Sequence, residues 1–561
     1  ASEKLYHVAL KRGTRSPFRE PDEFYKKKDE DDDEESDKKV VVSIDKNEIE
    51  KRISEVPIPA GNYSGLEVNE DALYLLSKET GLNADSHLSY VKIDNEDNEL
   101  ATLVADADRF DLAANGEKIL VRKGKKYYMV EAGTNEISDL SDHEIDLSDW
   151  KFPLTPNEDW KQIFTDAWRM ERDYFYDENM HGVDWTAMYE KYLPLVDRIT
   201  TRSELSDLIG RFVGELSALH TSVRGGDYRL DENDIDVASL GAEFSRDETK
   251  NGFRIDYIYQ GDPDYPDVKS PLDDPYLDVR VGDVVTHVDG RKSLTATDMG
   301  ELIRNKVDKQ VRLKLLRGTV SKEIIVKPIK NEYDLRYRDW EYTTRLKVEE
   351  KGNDQIGYVH LRAMGSRDLN QFYREFYPVF NKPGLIIDMR YNRGGNIDSF
   401  ILEKLMRKAW MYWKARSGDT YWNMQYAFRG HMVVLVNENT YSDGEAFADG
   451  FRKLGLGTTI GVRTWGGEIW LNSNNRLSDN GLARAPMIGV YSEKGDWIIE
   501  GHGFVPDIEV DNLPHETFNG KDRQLDTAIE LLQKKIKEDP REVPPVPAYP
   551  DKSFGNNKKQ D

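Results

Sequence analysis

The sequence predicts a multidomain chain whose main part is an α/β domain, preceded by a β-rich region, a helical segment and a small inserted β domain. Its 561 residues are too many for one hydrophobic core and suggest roughly three to five domains. The segments GLIIDMRYN at 384–392 and HMVVLVN at 431–437 are almost continuously apolar, as strands covered on both faces are. Helix-like segments alternate with them, which predicts βαβ units and a parallel sheet.

Residues 1–148 are predicted to form part of a β-propeller. Short β-type segments recur between Asn, Asp and Gly turns, at 4–10, 71–77, 87–93, 117–123 and 126–132. They suffice for roughly two or three blades, whereas a closed propeller has about four to eight. The missing blades would come from a preceding part of the protein or from another chain. The charged run at 26–39 is predicted to be a solvated loop.

Residues 149–235 are predicted to be helical. Ser203 is a candidate N-cap, and one helix face is apolar at three- and four-residue spacing, with Leu205, Leu208, Ile209, Phe212, Val213 and Leu216. This helix leads directly into SALHTS, which contains His220.

Three further regions complete the predicted organisation. Residues 236–330 alternate short strands and resemble a PDZ domain, which captures peptides along an exposed strand edge. Residues 331–535 form the predicted α/β core. Residues 536–561 are Pro-rich and then polar, which predicts an extended tail.

Composition excludes several classes of function. The net charge of −25 disfavours binding to nucleic acid, and the absence of cysteine excludes disulfides, thiolate metal ligands and a cysteine nucleophile. No stretch approaches the roughly 18 to 20 uninterrupted apolar residues of a membrane-spanning helix, so we expect no transmembrane segment. The chain begins at Ala1 without signal-peptide features, which leaves a removed N-terminal part and a cytoplasmic or periplasmic location open.

Ser442 is a candidate nucleophile because it follows an apolar strand and precedes a helix-like segment. A helix N-terminus offers free N–H groups that stabilise a developing oxyanion. Serine is also a common N-cap, so this position alone leaves a purely structural role open. A second strand-to-helix turn carries Gly394 and Gly395, and the N–H groups of Gly395 and Asp443 would together make an oxyanion hole.

Several motifs together resemble one family. RYNRGGN, YSDGEAFADGFRKLGLGTTIGVRTWGG and EGHGFVPDIEV follow one another in this order, behind GELSALHTS. With the PDZ-like insert and the propeller segment, they resemble the catalytic half of the tricorn proteases, serine peptidases of the tail-specific protease superfamily. The resemblance covers nearly the whole chain and implies a core built from ClpP/crotonase-like βα units.

The resemblance also implies roles for individual residues. Ser442 would be the nucleophile and His220 the general base, with Gly395 and Asp443 supplying the oxyanion amides and Glu500 belonging to the charge network behind the histidine. The expected reaction hydrolyses peptides or unfolded polypeptides through an acyl-enzyme and needs no cofactor or metal. A homo-oligomer is expected, with residues 405–430 as a candidate contact.

Two departures from the family pattern affect the expected mechanism. A serine precedes the catalytic histidine in the family, whereas this chain has Leu219, so Ser217, Thr221, Ser222, water or a backbone carbonyl would have to orient His220. The family's acidic residue for a basic P1 side chain is replaced by Trp413, which predicts an apolar or aromatic P1 residue and a possible substrate pocket at this tryptophan.

Other assignments stay open at this stage. The lysine base of the tail-specific proteases would fall at Gly467, so a Ser–Lys mechanism is disfavoured. His502 and His431 are rival bases, of which His502 is the better. Two non-catalytic alternatives are a silent peptide- or ligand-binding protein of the same fold and a PDZ-and-propeller scaffold.

Overall fold

The structure, a computed structural model, describes residues 2–20, 22–23, 42–81, 84–95, 98–228, 234–471 and 475–552. The chain divides into two compact units, residues 1–153 and 154–561. The predicted solvated loop at 26–39 lies outside the described residues. Among the described helices, none is both long and apolar enough to cross a bilayer.

The first unit consists of antiparallel strands. Its strands are β1 (Tyr6–Val8), β2 (Ile53–Glu55), β3 (Asn62–Val68), β4 (Ala72–Lys78), β5 (Ser86–Lys92), β6 (Ala101–Val104), β7 (Arg109–Leu112), β8 (Lys118–Lys123) and β9 (Lys126–Glu131). β3 to β6 form a four-stranded meander, β7 to β9 a three-stranded one, and β1 pairs with β2. Alternate residues of both meanders, such as Tyr74 and Val121, share one buried core. A propeller blade is a four-stranded meander of this kind, and the propeller itself stays a prediction.

The second unit begins with a helical region. Its helices are α1 (Pro156–Tyr174), α2 (Trp185–Tyr192) and α3 (Arg202–Gly214), followed by strand β10 (Ser222–Arg224). The apolar face predicted for α3 is confirmed, since all six of its residues are buried. The predicted N-cap is wrong: Thr201 caps α3, its side chain accepting from the Glu204 N–H, and Ser203 lies inside the first turn. The strong capping box at Thr201 and Glu204 outcompetes a serine two residues further on.

Residues 236–330 form a small sheet domain. Its elements are β11 (Ala242–Asp247), β12 (Gly252–Ile258), β13 (Val284–Val288), β14 (Arg291–Lys292), α4 (Met299–Leu302), β15 (Val311–Arg317) and β16 (Val320–Val326). The strands pair antiparallel in the order β11-β12-β13-β15-β16, with β14 beside β13. They enclose a separate hydrophobic core that includes Phe253, Val285 and Leu313.

The α/β core follows. Its elements are α5 (Tyr333–Lys351), β17 (Ile356–His360), α6 (Ser366–Phe376), β18 (Gly384–Asp388), α7 (Asp398–Met406), β19 (Tyr412–Lys414), β20 (Thr420–Trp422), β21 (His431–Val436), α8 (Asp443–Lys453), β22 (Thr458–Gly461), β23 (Leu482–Arg484), β24 (Ile508–Glu509), α9 (Pro514–Phe518) and α10 (Arg523–Glu538). Five strands form a parallel sheet in the order β17-β18-β21-β22-β24.

Both faces of this sheet are covered, as the continuous apolar runs predict. Leu385 and Ile387 face α6, α7 and α8, whereas Ile386 between them faces α5 and α10. The segment SFILEKLMRKAW at 399–410 predicts a helix over its whole length, but α7 ends at Met406 and a hairpin of β19 and β20 follows. The spacing of Phe447, Phe451 and Leu454 predicts one buried helix face, and the two phenylalanines are buried. Leu454 instead lies just beyond the last residue of α8 and is 46% exposed.

We expect Phe451→Ala to destabilise the α/β core by about 3–5 kcal/mol, because the ring is fully buried against the sheet and its loss leaves a cavity. Leu454→Ala, three residues on and exposed, should change stability by no more than about 0.5 kcal/mol. Urea unfolding followed by far-UV circular dichroism makes the comparison. Equal midpoint shifts for the two variants would contradict the packing described for α8.

Candidate active site

Two turns meet at the carboxyl edge of the sheet because β18 and β21 are parallel neighbours. The turn after β18 carries Gly394 and Gly395, and the turn after β21 carries Ser442. Backbone hydrogen bonding joins the two turns directly, with the Tyr441 N–H donating to the Asn392 carbonyl at 2.8 Å. The sheet topology therefore brings together the two turns singled out in the sequence.

Ser442 has an unusual backbone conformation, with φ 53° and ψ −124°, immediately before the first residue of α8. Its side chain lies over Gly394: a Cβ atom at that glycine would be 2.6 Å from the Ser442 Cβ and 3.2 Å from its Oγ. A Cβ atom on Gly395 would be 2.0 Å from the Met364 carbonyl oxygen. Gly394 is therefore required for the close approach of the Ser442 side chain, and Gly395 for the packing of this turn against the Met364 backbone.

The N–H groups of Gly395 and Asp443 are both unengaged: neither donates to an acceptor within the described part of the chain. The Asp443 amide is free because it belongs to the first residue of α8, where no intrahelical partner exists. The Asp443 side chain is used elsewhere and accepts from the Ile397 N–H at 2.7 Å, holding the start of α7. Burial raises the pKa of this carboxyl to about 7, and the nearby Asp398 adds to the effect.

Glu445 joins the turn of Ser442 to a second loop, residues 464–469. This fully buried carboxylate accepts from the Ser442 N–H at 3.0 Å, from Gly466 at 2.7 Å and from Gly467 at 3.0 Å, and the Thr464 hydroxyl also donates to it. Burial raises its pKa, while these donors act in the opposite direction. The sequence reasoning missed Glu445, although a serine followed three residues later by glutamate is a capping-box signature.

The same loop is also hydrogen-bonded to Glu500. One carboxylate oxygen of Glu500 accepts from the N–H groups of Glu468 at 2.7 Å and Ile469 at 3.2 Å, and the other accepts from the Leu219 N–H at 3.2 Å. The link between Glu500 and the histidine segment thus runs through the backbone of Leu219. No side-chain hydroxyl at 219 is needed for it.

His220 contacts this loop. Its ring contacts the Trp465 ring edge-on, with centroids 5.2 Å apart, and Trp465 in turn contacts Tyr441 at 4.9 Å. The His220 Nδ1 is buried and has no hydrogen-bond partner among the described residues. Burial lowers the pKa of His220 to about 4, so its imidazole is neutral at pH 7.

Glu468 is a second carboxyl that the sequence reasoning did not single out. It is 1% exposed, one oxygen accepts from the Trp470 indole at 2.7 Å, and the other has no partner within the described residues. Burial raises its pKa to about 9, and the negative charges of Glu445 and Asp443 add to this effect. The carboxyl is therefore uncharged at neutral pH.

The remaining sequence candidates have other partners. The His502 ring bonds locally to the Gly503 carbonyl at 3.0 Å, and the His431 ring bonds to the Asp539 carbonyl at 2.9 Å. Trp413 lies in the β19–β20 hairpin, where its ring packs edge-on against Tyr421 at 5.4 Å. None of the described contacts of Trp413 involves Ser442.

Comparisons with known proteins agree with this architecture. Residues 156–214 match the tricorn protease C1 domain, residues 238–331 the tricorn protease PDZ domain, and residues 355–510 peptidase family S41. The fold and these three matches define a chain with an S41-type peptidase core and an inserted PDZ domain.

Relatives and a solved structure extend the match to most of the chain. A putative tricorn-like protease C-terminal subunit of Sulfurisphaera tokodaii is 34% identical over 87% of this chain and 58% of its own length. The tricorn protease of Thermoplasma acidophilum is 28% identical over 90% of this chain and 47% of its own length. The crystal structure of the tricorn protease superposes with a TM-score of 0.83 at 25% identity, covering 95% of this chain and 51% of that one.

The chain belongs to the tricorn protease family. It spans about half the length of the curated relatives it matches.

We expect the His220 ring to titrate near pH 4, because burial without a partner for Nδ1 favours the neutral imidazole. The neutral form would then persist to a pH about 2.5 units below the pKa of 6.5 of an exposed histidine. NMR of the chain labelled with ¹³C at histidine Cε1, with His220→Gln to assign the resonance among ten histidines, makes the measurement. A midpoint near 6.5 would contradict the burial described for this ring.

Proposed function

We propose that this chain is a serine peptidase in which Ser442 is the nucleophile and His220 the general base. The Ser442 hydroxyl attacks the peptide carbonyl carbon while His220 takes its proton, and the protonated imidazole then gives that proton to the leaving amine. Water, deprotonated by the same imidazole, attacks the acyl-enzyme and releases the acid product and the serine hydroxyl. The neutral His220 at pH 7 is the form that this reaction requires.

The observation that carries the proposal is the loop at 464–469. It is bonded through Glu445 to the turn of Ser442 and through Glu500 to the segment of His220, and its Trp465 contacts both Tyr441 and His220. A nucleophile and a base that are 222 positions apart in the sequence are thereby attached to one loop.

The oxyanion hole is proposed to consist of the Gly395 and Asp443 amides. Both are unengaged among the described residues and lie on the two turns that meet at Ser442. Amides fixed in this way stabilise the tetrahedral oxyanion without reorganising, and each is worth roughly 3 to 4 kcal/mol of the barrier. Glu500 is proposed as a positioning residue, because it holds the backbone next to His220.

The substrate is proposed to be a peptide or an unfolded polypeptide. The chain matches proteins named tricorn proteases and has a PDZ-type domain in front of the catalytic sheet. The preference for an apolar P1 residue and the part of Trp413 in it remain proposals. A homo-oligomer is also proposed, with residues 405–430 as a contact, since Trp410 in this segment is 67% exposed.

We expect Ser442→Ala to lower peptide cleavage by at least about a thousandfold, because the nucleophile is lost while the fold is kept. A panel of fluorogenic peptides measures the rate. Ser321→Ala, which removes the hydroxyl of an exposed serine in β16, is the matched control and should leave the rate unchanged.

An activated fluorophosphonate separates this proposal from a silent binding protein of the same fold. The wild-type chain should be labelled at Ser442, and His220→Gln should slow the labelling. Cleavage that persists in Ser442→Ala would remove this serine from the mechanism. Absence of both cleavage and labelling in the wild-type chain would favour the binding protein.

A further inference from the structure

A cavity of about 600 Å³ opens beside the proposed catalytic serine. None of the site residues assigned above lines this cavity. Five aromatic rings line it, together with two arginines. The rings belong to Tyr333, Tyr337, Trp340, Tyr391 and Tyr441. Of the described residues that line the cavity, none is acidic.

The cavity shares its walls with the catalytic turns. Tyr441 directly precedes Ser442, and Arg393 directly precedes Gly394, over which the serine side chain lies. Tyr441 also contacts Trp465, the ring that touches His220. A peptide with its reactive carbonyl at Ser442 would therefore have a neighbouring side chain within reach of this cavity.

The aromatic walls are held in fixed positions. Tyr391 has a φ of 63°, rare for a residue with a large side chain, and its ring packs edge-on against Trp340 at 5.6 Å. Trp340 packs in the same way on Tyr337 at 5.6 Å, and the Tyr337 hydroxyl bonds to the buried His360 ring at 2.9 Å. Rigid rings accept an aromatic or large apolar side chain at a low entropic cost.

The charge around the cavity disfavours a basic side chain. Arg336 is paired with Glu332, whereas Arg393 donates to the Tyr333 hydroxyl and has no carboxylate partner among the described residues. Its guanidinium lies 5.2 Å from the centre of the Tyr333 ring, so a cation already occupies the position that a substrate lysine would take over this ring.

We propose that this cavity is a specificity pocket for an aromatic or large apolar side chain of the peptide substrate, next to the scissile bond, and that Arg393 excludes lysine and arginine from it. The inference rests on the proposed peptidase function. The pocket is formed by the turns around Ser442 and by α5, and Trp413 does not line it.

Internally quenched peptides that differ only by Ala, Phe or Lys at one position, scanned on both sides of the scissile bond, test the proposal. At one position kcat/KM should rise by about tenfold or more from Ala to Phe and fall for Lys, because an aromatic ring is buried beside an arginine. Thr517→Trp, which places a large ring at the cavity wall, should lower the Phe-to-Ala ratio by about tenfold. Arg393→Gln should raise the Lys-to-Phe ratio.

Phe518→Trp is the matched control, since it places the same indole ring at the residue after Thr517. Phe518 is 91% exposed and does not line the cavity. It should leave both ratios unchanged. If Ser442→Ala abolishes cleavage but Thr517→Trp leaves the Phe-to-Ala ratio intact, the peptidase function stands and the pocket assignment is overturned.

Equilibrium binding of the peptides tests the pocket even if the chain cleaves none of them. If the wild-type chain cleaves none of these peptides, the proposed function fails, and the same Ala, Phe and Lys series is then compared by binding to Ser442→Ala. Preference for Phe that is lost in the Thr517→Trp background supports the pocket. Equal binding of the three peptides overturns it.

Discussion

Four successive backbone amides shared between two carboxylates hold the candidate active site together. Gly466 and Gly467 donate to Glu445, and the next two residues donate to Glu500. Because Glu445 also holds the Ser442 amide and Glu500 also holds the Leu219 amide, this short loop connects two regions that are distant in the sequence. Every catalytic role proposed for the chain depends on this connection.

The connection works because buried carboxylates need several donors. An ionised carboxylate in a protein interior is costly unless N–H and O–H groups surround it, and Glu445 has four such donors. Glu468, with a single donor, is instead held neutral by its burial. The donors around Glu445 thus oppose the rise in its pKa that burial causes, whereas burial alone keeps the Glu468 carboxyl and the His220 imidazole uncharged at neutral pH. The proposed base is therefore neutral at pH 7 and contacts the loop that also holds the turn of Ser442.

The sequence was sufficient to predict the parallel sheet and the two glycine- and serine-bearing turns, since apolar runs and turn residues are local signals. It did not predict the cap at Thr201 or the end of α7 at Met406, where a local capping box and a following hairpin override the apolar pattern. It also missed Trp465 and the backbone link at Leu219, because contacts between segments over 200 residues apart leave no local pattern. The sequence did mark Leu219 as the position where the family's link to the histidine changes.

The distance between the His220 Nε2 and the Ser442 Oγ tests the account most directly. A crystal structure of the chain with a peptide boronate bound to Ser442 would measure it. The account predicts a hydrogen-bond distance of about 3 Å between the imidazole and the serine oxygen, with the boronate oxygen close to the Gly395 and Asp443 amides. An imidazole held well beyond hydrogen-bond reach of Ser442 in that complex would contradict it.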